Sequence, residues 1–120
     1  MHSKYDCTDG CPVEATLDLI GGKWKGVVLF NLLKGTRRFN ELRRLLPDCS
    51  QRMLTRQLRE LEAVGLLSRK VFAEVPPRVE YALTDFGRTL APVLGVLCSW
   101  GEGYLALRQQ KGASAVVLEV

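Results

Sequence analysis

The sequence predicts a mainly α-helical domain with a small β-hairpin, arranged as a winged helix-turn-helix with flanking dimerisation helices. An amphipathic helix over residues 50–65 has leucines on one face and arginines on the other. A very short connection joins it to the helix before it, and two short β-prone runs follow it. That succession is typical of winged helix-turn-helix domains.

The stretch from Ser50 to Gly65 predicts the central helix. At ~100° per residue its leucines share one narrow face; these are Leu54, Leu58 and Leu61. The opposite face carries Arg52, Thr55, Arg56 and Arg59. Ser50 can cap the first turn, and Gly65 can adopt the left-handed conformation that ends many helices.

The cationic face of this helix suits DNA. The planar fork of arginine matches both a phosphate and the O6/N7 edge of guanine, and Gln51 and Thr55 add shorter hydrogen-bonding arms. We therefore interpret the helix as a recognition helix. The alternative is a solvated amphipathic helix whose arginines only keep the chain soluble.

The distribution of charge favours a polyanionic partner. The chain has 120 residues, 47% of them hydrophobic, and a net charge of +4, which is enough for one domain with a modest core. Residues 34–70 carry ten Lys or Arg against four Asp or Glu, a net of +6, and the stretches before and after come to −1 each. A charge that served only solubility would have no reason to concentrate there.

The N-terminal half predicts three helices and one short extended piece. Residues 1–10 read as a flexible arm, and Pro12 at the first helical position begins a helix that Gly21-Gly22 ends. A second helix, apolar on most sides, runs from about Lys23 to Leu33 and belongs in the core. Arg37-Arg38-Phe39 is a linker or a minimal strand.

A short helix over Glu41–Leu46, capped by Asn40, precedes the recognition helix. Only Pro47, Asp48 and Cys49 separate it from Ser50, so the two form a helix-turn-helix.

The segment after Gly65 predicts the wing. Residues 67–73 and 79–83 are β-prone runs separated by Glu74-Val75-Pro76-Pro77-Arg78. Arg78 is expected at or beside the wing tip, where arginine can enter a minor groove or bind phosphate. The alternative for Pro76-Pro77-Arg78 is an ordinary stiff turn.

The last helix predicts a homodimer interface. It is expected from a cap at Thr84 or Asp85 to about Leu107, and its apolar stripe is longer than a small core needs. The alternative is a role within one chain. The domain is thus expected at residues 11–107, with a tail at 108–120 in which Ala115–Leu118 could pair as a strand.

The chain offers little chemistry beyond binding. Its single histidine, His2, lies on the expected arm, and no catalytic triad or Cys/His arrangement follows from the sequence. A metal site at Cys7 and Cys11 would have loose spacing. We expect no catalytic residue, no metal and no cofactor.

The N-terminus and the apolar runs predict a cytoplasmic protein with no membrane partner. The start is polar and lacks the apolar region of a signal peptide. The longest apolar run, Val27–Leu33, is far shorter than the ~20 residues that cross a bilayer. The four cysteines, Cys7, Cys11, Cys49 and Cys98, are therefore expected as reduced thiols.

A set of motifs gives a resemblance over roughly residues 11–104. They are Cys11-Pro12-Val13-Glu14, Gly21-Gly22-Lys23-Trp24-Lys25, Arg37-Arg38-Phe39-Asn40-Glu41-Leu42, Ser50-Gln51-Arg52-Met53-Leu54-Thr55, Leu58-Arg59-Glu60-Leu61-Glu62, Gly65-Leu66, Val75-Pro76-Pro77-Arg78-Val79-Glu80-Tyr81 and Leu83-Thr84. With them the chain resembles the HxlR family of bacterial winged-helix, MarR-like transcriptional regulators. The resemblance implies a homodimer on an inverted repeat, with Ser50–Ala63 in the major groove.

The resemblance also implies a sensing thiol. In redox-responsive members of the family a cysteine stands immediately before the helix-starting proline, which corresponds to Cys11 here. Cys7 is not part of that pattern, so its pairing with Cys11 stays open. A helix N-terminus favours a thiolate, although Glu14 opposes this, and the alternative for Cys11 is an ordinary helix-start residue.

These observations predict a homodimeric DNA-binding transcriptional regulator that oxidants, electrophiles or a small molecule could control. The expected DNA-binding residues are Arg38, Ser50, Gln51, Arg52, Thr55, Arg56, Arg59 and Arg78, and the expected redox residues are Cys11 and Cys7. One alternative is a winged-helix protein-interaction module that does not bind DNA. Another is a thiol oxidoreductase, although Cys7 and Cys11 lack the Cys-x-x-Cys spacing.

Overall fold

The structure is a computed structural model that describes residues 10–113, with side chains to residue 111. The expected arm before Gly10 and the expected strand at Ala115–Leu118 lie outside the described residues. The chain forms two compact units, one ending at Thr89 and the other beginning at Leu90.

Six helices and three strands make up the described chain. In order they are α1 (Pro12–Ile20), α2 (Lys25–Leu32), β1 (Arg37–Arg38), α3 (Phe39–Leu45), α4 (Gln51–Ala63), β2 (Leu67–Phe72), β3 (Arg78–Leu83), α5 (Asp85–Arg88) and α6 (Ala91–Ala113). This mainly helical chain with a three-stranded sheet confirms the predicted fold class.

Both ends of α4 follow from the sequence as expected. The Ser50 hydroxyl accepts a hydrogen bond from the backbone N–H of Met53 at 3.0 Å, which satisfies one of the free donors of the first turn. Gly65 has φ +84°, a conformation that glycine adopts without strain. The chain can therefore turn directly from α4 into β2.

The core of the first unit lies beneath α4. Leu54, Leu58 and Leu61 are at most 1% exposed, so the predicted leucine face of α4 is buried as expected. The other largest fully buried side chains come from α2, from α3, from the start of β2 and from the residue before it; they are Val28, Leu29, Leu42, Leu66 and Leu67.

Helix α3 begins earlier than the sequence predicts. The expected cap was Asn40, but the helix starts at Phe39 and Arg38 occupies the N-cap position. The reason is the Glu41 carboxylate, which accepts a hydrogen bond from the backbone N–H of Arg38 at 2.7 Å. The Glu41 carboxylate thus supplies an acceptor for a backbone N–H that has none within the helix.

The sheet is antiparallel with strand order β1-β3-β2. Strands β2 and β3 pair from Leu67 opposite Leu83 to Phe72 opposite Arg78, and the tip lies beyond that last pair. Strand β1 adds only two residues beside β3, which confirms the expected minimal strand. The peptide bond between Val75 and Pro76 in the tip is cis.

Two hydrogen bonds of one threonine side chain, Thr84, stabilise the base of the wing. Thr84 Oγ1 donates to the carbonyl oxygen of Gly65 at 2.6 Å and accepts from the backbone N–H of Gly87 at 2.9 Å. A Cβ at Gly87 would collide with the backbone carbonyl of Leu66. Glycine at this position thus lets α5 pack directly on the segment between α4 and β2.

The predicted last helix is two helices. Helix α5 ends at Arg88, and α6 begins at Ala91 and continues to Ala113, so residues 108–113 of the expected tail are helical. The break has a cause in Pro92, which lacks an N–H and whose ring excludes the carbonyl of the residue four positions earlier. Proline is tolerated there because it falls in the first turn of α6.

One apolar stretch qualifies the expectation that the chain has no membrane span. By length and composition alone, Asp85–Lys111 could cross a bilayer, and 6% of its most apolar window is buried. A search for uninterrupted apolar runs misses this stretch because glycines, polar residues and charges interrupt it. Helices that pack against other protein surfaces share this composition, so the stretch is weak support for a membrane partner.

Candidate nucleic-acid interface

The outward face of α4 brings six of the predicted residues together. Arg52, Arg56 and Arg59 are exposed, and Thr55 is partly exposed. A shallow depression along this face is lined by Ser50, Gln51, Arg52, Met53, Thr55, Arg56, Arg59 and Glu60. Because the leucines on the other side are fully buried, the rotation of α4 about its axis is fixed and these arginines must face outward.

A second depression joins the first turn of α4 to the wing. Gln51 and Thr55 belong to both depressions, and the second also includes Arg38 from β1 and Arg78 from β3. The structure thus places all eight predicted residues on two adjoining surfaces of the first unit. Among the lining residues that sequence reasoning did not name are Arg69 of β2 and Asn40 of α3.

The position of Arg69 follows from the alternation of side chains along a β-strand. Arg69 lies in the β-prone run with Lys70 next to it, and alternation along a strand puts the two on opposite faces. In the structure the exposed Arg69 has its Nε 3.7 Å from Oε1 of Glu62 on α4. This pair connects strand β2 of the wing to α4.

An acidic residue stands among the arginines of α4. Glu60 Oε1 accepts a hydrogen bond from Lys25 Nζ of α2 at 2.6 Å, and Glu60 Oε2 lies 3.7 Å from Nε of Arg56. The hydrogen bond and charge of Lys25, with a smaller contribution from Arg56, lower the pKa of Glu60 from its ordinary value of 4.5. Lys25 is 35 positions away in the chain, so no local pattern predicts the pair.

Arg78 differs from the arginines of α4. Its guanidinium carbon lies 3.9 Å from the centroid of the Phe72 ring, and its side chain is 25% exposed against 65% for Arg56. Nη2 lies 3.2 Å from Glu74 and Nε lies 3.5 Å from Glu80. This guanidinium is already engaged within the hairpin.

The cysteines occupy different environments. Cys11 is 5% exposed, takes the N-cap position of α1 and is disulfide-bonded, in contrast to the reduced state expected from the sequence. Cys7 lies outside the described residues. Cys49 and Cys98 are free thiols. Burial raises the pKa of the Cys49 thiol, with the charge of Lys23 opposing, so Cys49 is disfavoured as a nucleophile.

Metal binding finds no support in the part of the chain that the structure describes. Among residues 10–113 no group of three His, Cys, Asp or Glu side chains could hold an ion.

An exposed arginine face on a helix that follows a tight turn, with a hairpin beside it, defines a winged helix-turn-helix protein. The model of the HxlR-like helix-turn-helix family matches residues 19–109, and the chain belongs to that family. The chain is 60% identical over 99 residues to the HTH-type transcriptional regulator YdeP of Bacillus subtilis (strain 168), which covers 82% of this chain and 77% of YdeP. The chain is thus a helix-turn-helix transcriptional regulator and not an enzyme.

Two solved structures of one regulator are also similar. The redox regulator HypR in its reduced form matches with a TM-score of 0.78 and 54% identity, covering 82% of this chain and 98% of that one. HypR in its oxidized form matches with a TM-score of 0.74 and 58% identity, covering 78% and 96%.

The ion pair between Lys25 and Glu60 predicts a pH dependence of stability. Because the pKa of Glu60 is lowered in the folded chain, its contribution is present above the ordinary value and is lost as the pH falls through the lowered one. Lys25→Met should therefore reduce the free energy of unfolding most at neutral pH, and the difference from the wild type should shrink below pH 4.5. Urea unfolding at a series of pH values measures this.

The matched control is Lys23→Met, which removes an equal charge two residues away. Its difference from the wild type should not follow the same pH profile. If the difference between Lys25→Met and the wild type is the same at pH 3 as at pH 7, the pair does not titrate as described.

Proposed function

We propose that this regulator binds double-stranded DNA as a homodimer on an inverted-repeat operator, with α4 in the major groove. The observation that carries the proposal is the division of α4 into a fully buried leucine face and an exposed arginine face. Thirteen residues of helix are ~20 Å long, and the major groove of B-DNA admits one α-helix.

The N-terminal half of α4 is the part suited to reading bases. Gln51, Arg52, Thr55 and Arg56 lie in its first two turns, as do the base-reading residues of helix-turn-helix proteins. Ser50 uses its oxygen as an acceptor for the cap, which leaves its hydroxyl proton available to a phosphate. Arg38 and Arg59 flank this set and suit backbone phosphates.

The local charge supports the same partner. Residues 34–70, with a net charge of +6, include both depressions except for the wing tip and β3. Each phosphate neutralised by this surface releases counterions, so affinity should fall steeply with salt. A winged-helix module that binds only proteins would not need this concentration of arginine.

Replacing Arg52 or Arg56 by alanine tests the recognition helix. Both side chains point away from the core, so neither change should alter the fold. We expect a loss of operator affinity of about 1–3 kcal/mol, with relaxed specificity at one position if the arginine reads a base. Titration of operator and scrambled duplexes at fixed salt measures this.

Lys111→Ala is the charge-matched control, since Lys111 is exposed near the end of α6 and lines neither depression. It should bind like the wild type. Unchanged affinity in both α4 variants, with native circular dichroism, would refute the assignment.

The homodimer is proposed from the surface of α6. Seven large apolar side chains of this helix are at least 38% exposed in the single chain; they are Val93, Val96, Leu97, Trp100, Tyr104, Leu105 and Leu107. Trp100 and Tyr104 stack with ring centroids 5.9 Å apart. A contiguous apolar surface of this kind marks an interface, and a second copy of the chain is the partner that a two-fold operator requires.

Leu97→Glu tests the dimer. Leu97 is 52% exposed, so a carboxylate there should leave the single chain folded but prevent burial against a partner. Sedimentation should give a dimer for the wild type and a monomer for the variant. Ser99→Glu, an exposed polar position on the same helix, is the control and should remain dimeric; a wild-type monomer at micromolar concentration would contradict the proposal.

Redox control is proposed from Cys11. The disulfide of Cys11, at the N-cap of α1, supports a role for this sulfur in oxidation. HypR, the similar regulator, is described as a redox regulator and has been solved in both forms. In the cytoplasm the thiol would be the resting form, and oxidation with a second cysteine passes two electrons and two protons to the oxidant. The second cysteine is Cys7 or a cysteine of the partner subunit.

Cys11→Ser tests the switch. It should bind DNA like the reduced wild type and ignore a diamide-type oxidant, whereas Cys49→Ser and Cys98→Ser should still respond. The expected change in wild-type affinity is about 1–3 kcal/mol, typical of allosteric coupling. DNA titrations before and after oxidant, reversed with dithiothreitol, measure it; a Cys11→Ser variant that remains fully sensitive would exclude Cys11 as the sensor.

A further inference from the structure

The wing contains a closed cluster of side chains around one aromatic ring. Phe72 and Arg78 are cross-strand partners and form the last pair of the β2–β3 ladder before the tip. The guanidinium carbon of Arg78 lies 3.9 Å from the Phe72 ring centroid, and Lys70 Nζ lies 5.0 Å from it. A cation at such distances is attracted by the ring, and arginine stacks on it with its planar face.

The charges of this cluster cancel. Arg78 lies within 3.5 Å of carboxylate oxygens of both Glu74 and Glu80, and Glu80 is also the ladder partner of Lys70. Two cations therefore face two anions around Phe72. Within this cluster the charges sum to zero, and a phosphate approaching Arg78 would have to displace two carboxylates from the guanidinium.

One nitrogen of the Arg78 guanidinium, Nε, is buried. It makes no hydrogen bond, because Glu80 lies beside it without the geometry of one. An arginine that serves as a phosphate ligand gains from presenting its free N–H groups outward, as Arg52 and Arg56 do on α4. Arg78 instead directs Nη2 toward Glu74 and Nε toward Glu80 of its own hairpin.

The cluster lies directly next to the wing tip, residues 75–77. The tip residues Val75, Pro76 and Pro77 are exposed, with Val75 fully so. Glu74 begins this segment and Arg78 ends it, so their ion pair spans the three apolar residues. The backbone N–H of Glu74 donates to the carbonyl oxygen of Phe72 at 2.8 Å. The turn into the tip therefore begins at the residue whose ring Arg78 contacts.

We propose that Arg78 is a positioning residue that holds the wing tip in one conformation, and that it is not a phosphate ligand. Val75-Pro76-Pro77 is then the part of the wing that meets DNA, where apolar side chains can contact sugars and bases of a minor groove. This inference rests on the proposed DNA binding and replaces the expected phosphate contact of Arg78 with a different role.

The dependence of affinity on salt separates the two roles. A phosphate ligand contributes to the slope of log affinity against log salt, whereas a residue that only shapes the tip does not. Lysine keeps the charge of Arg78 but lacks the planar face and the fork. A phosphate contact should therefore survive Arg78→Lys, whereas the stacking of Arg78 on Phe72 should be lost.

The first experiment compares Arg78→Lys, Arg78→Met and Arg56→Ala in operator titrations from low to moderate salt. We expect both Arg78 variants to lose affinity alike, by about tenfold, with the slope of the wild type. Arg56→Ala should make the slope shallower by about one per subunit. Wild-type affinity in Arg78→Lys together with a shallower slope in Arg78→Met would overturn the proposal.

The second experiment needs no DNA. Hydrogen exchange of the intact protein should be faster at the amides of residues 73–75 in Arg78→Lys and in Phe72→Leu, with unchanged exchange in α4. Lys70→Met, which removes the more distant cation from the same ring, should leave these amides near the wild-type rate. Unchanged exchange in both Arg78→Lys and Phe72→Leu would overturn the positioning role.

The two experiments also keep the inference apart from the proposed function. If the wild type binds no duplex, DNA binding fails and the exchange rates alone decide whether Arg78 holds the tip. If the wild type and Arg56→Ala behave as expected but the Arg78 variants show a phosphate contact, DNA binding stands and the inference fails.

Discussion

The burial of three leucines of α4 is the constraint on which the rest of the structure depends. Leu54, Leu58 and Leu61 are at most 1% exposed, and together they stabilise the fold by several kcal/mol, at roughly 1.5–3 kcal/mol for each buried side chain. Because residues three and four apart share a helix face, this burial also fixes where Arg52 and Arg56 point. The core and the proposed reading surface are therefore two sides of one helix, and a change in the leucines would alter both.

Local signals in the sequence predicted most of the fold. The cap at Ser50, the left-handed Gly65 and the leucine period determined α4 to within a residue, and the proline tip located the hairpin. The same period gave the outward residues of α4, because rotation about a helix axis follows from which face is apolar. Errors fell where one side chain overrides a local preference: Glu41 starts α3 early, and Pro92 divides the last helix.

The interactions that sequence reasoning missed join residues that are distant in the chain or depend on strand register. Lys25 meets Glu60 only after α2 and α4 have packed, and no period within either helix shows it. Arg78 was placed correctly near the tip, yet its contact with Phe72 depends on the pairing register of β2 and β3. A one-residue shift of that register would put the two side chains on opposite faces of the hairpin.

The arginines of this chain therefore divide by their neighbours and not by their residue type. Those of α4 lie on a helix whose other side is apolar, so their charge faces solvent; Arg56 has one carboxylate partner, Glu60, which Lys25 also holds. Arg78 lies close to two carboxylates and an aromatic ring, so its charge is compensated by neighbours within the hairpin. Long-range attraction of a polyanion depends on uncompensated charge, whereas the shape of a hairpin tip depends on contacts that compensate it. Composition counts these arginines alike, and only the folded arrangement separates those that can attract DNA from the one that shapes the wing.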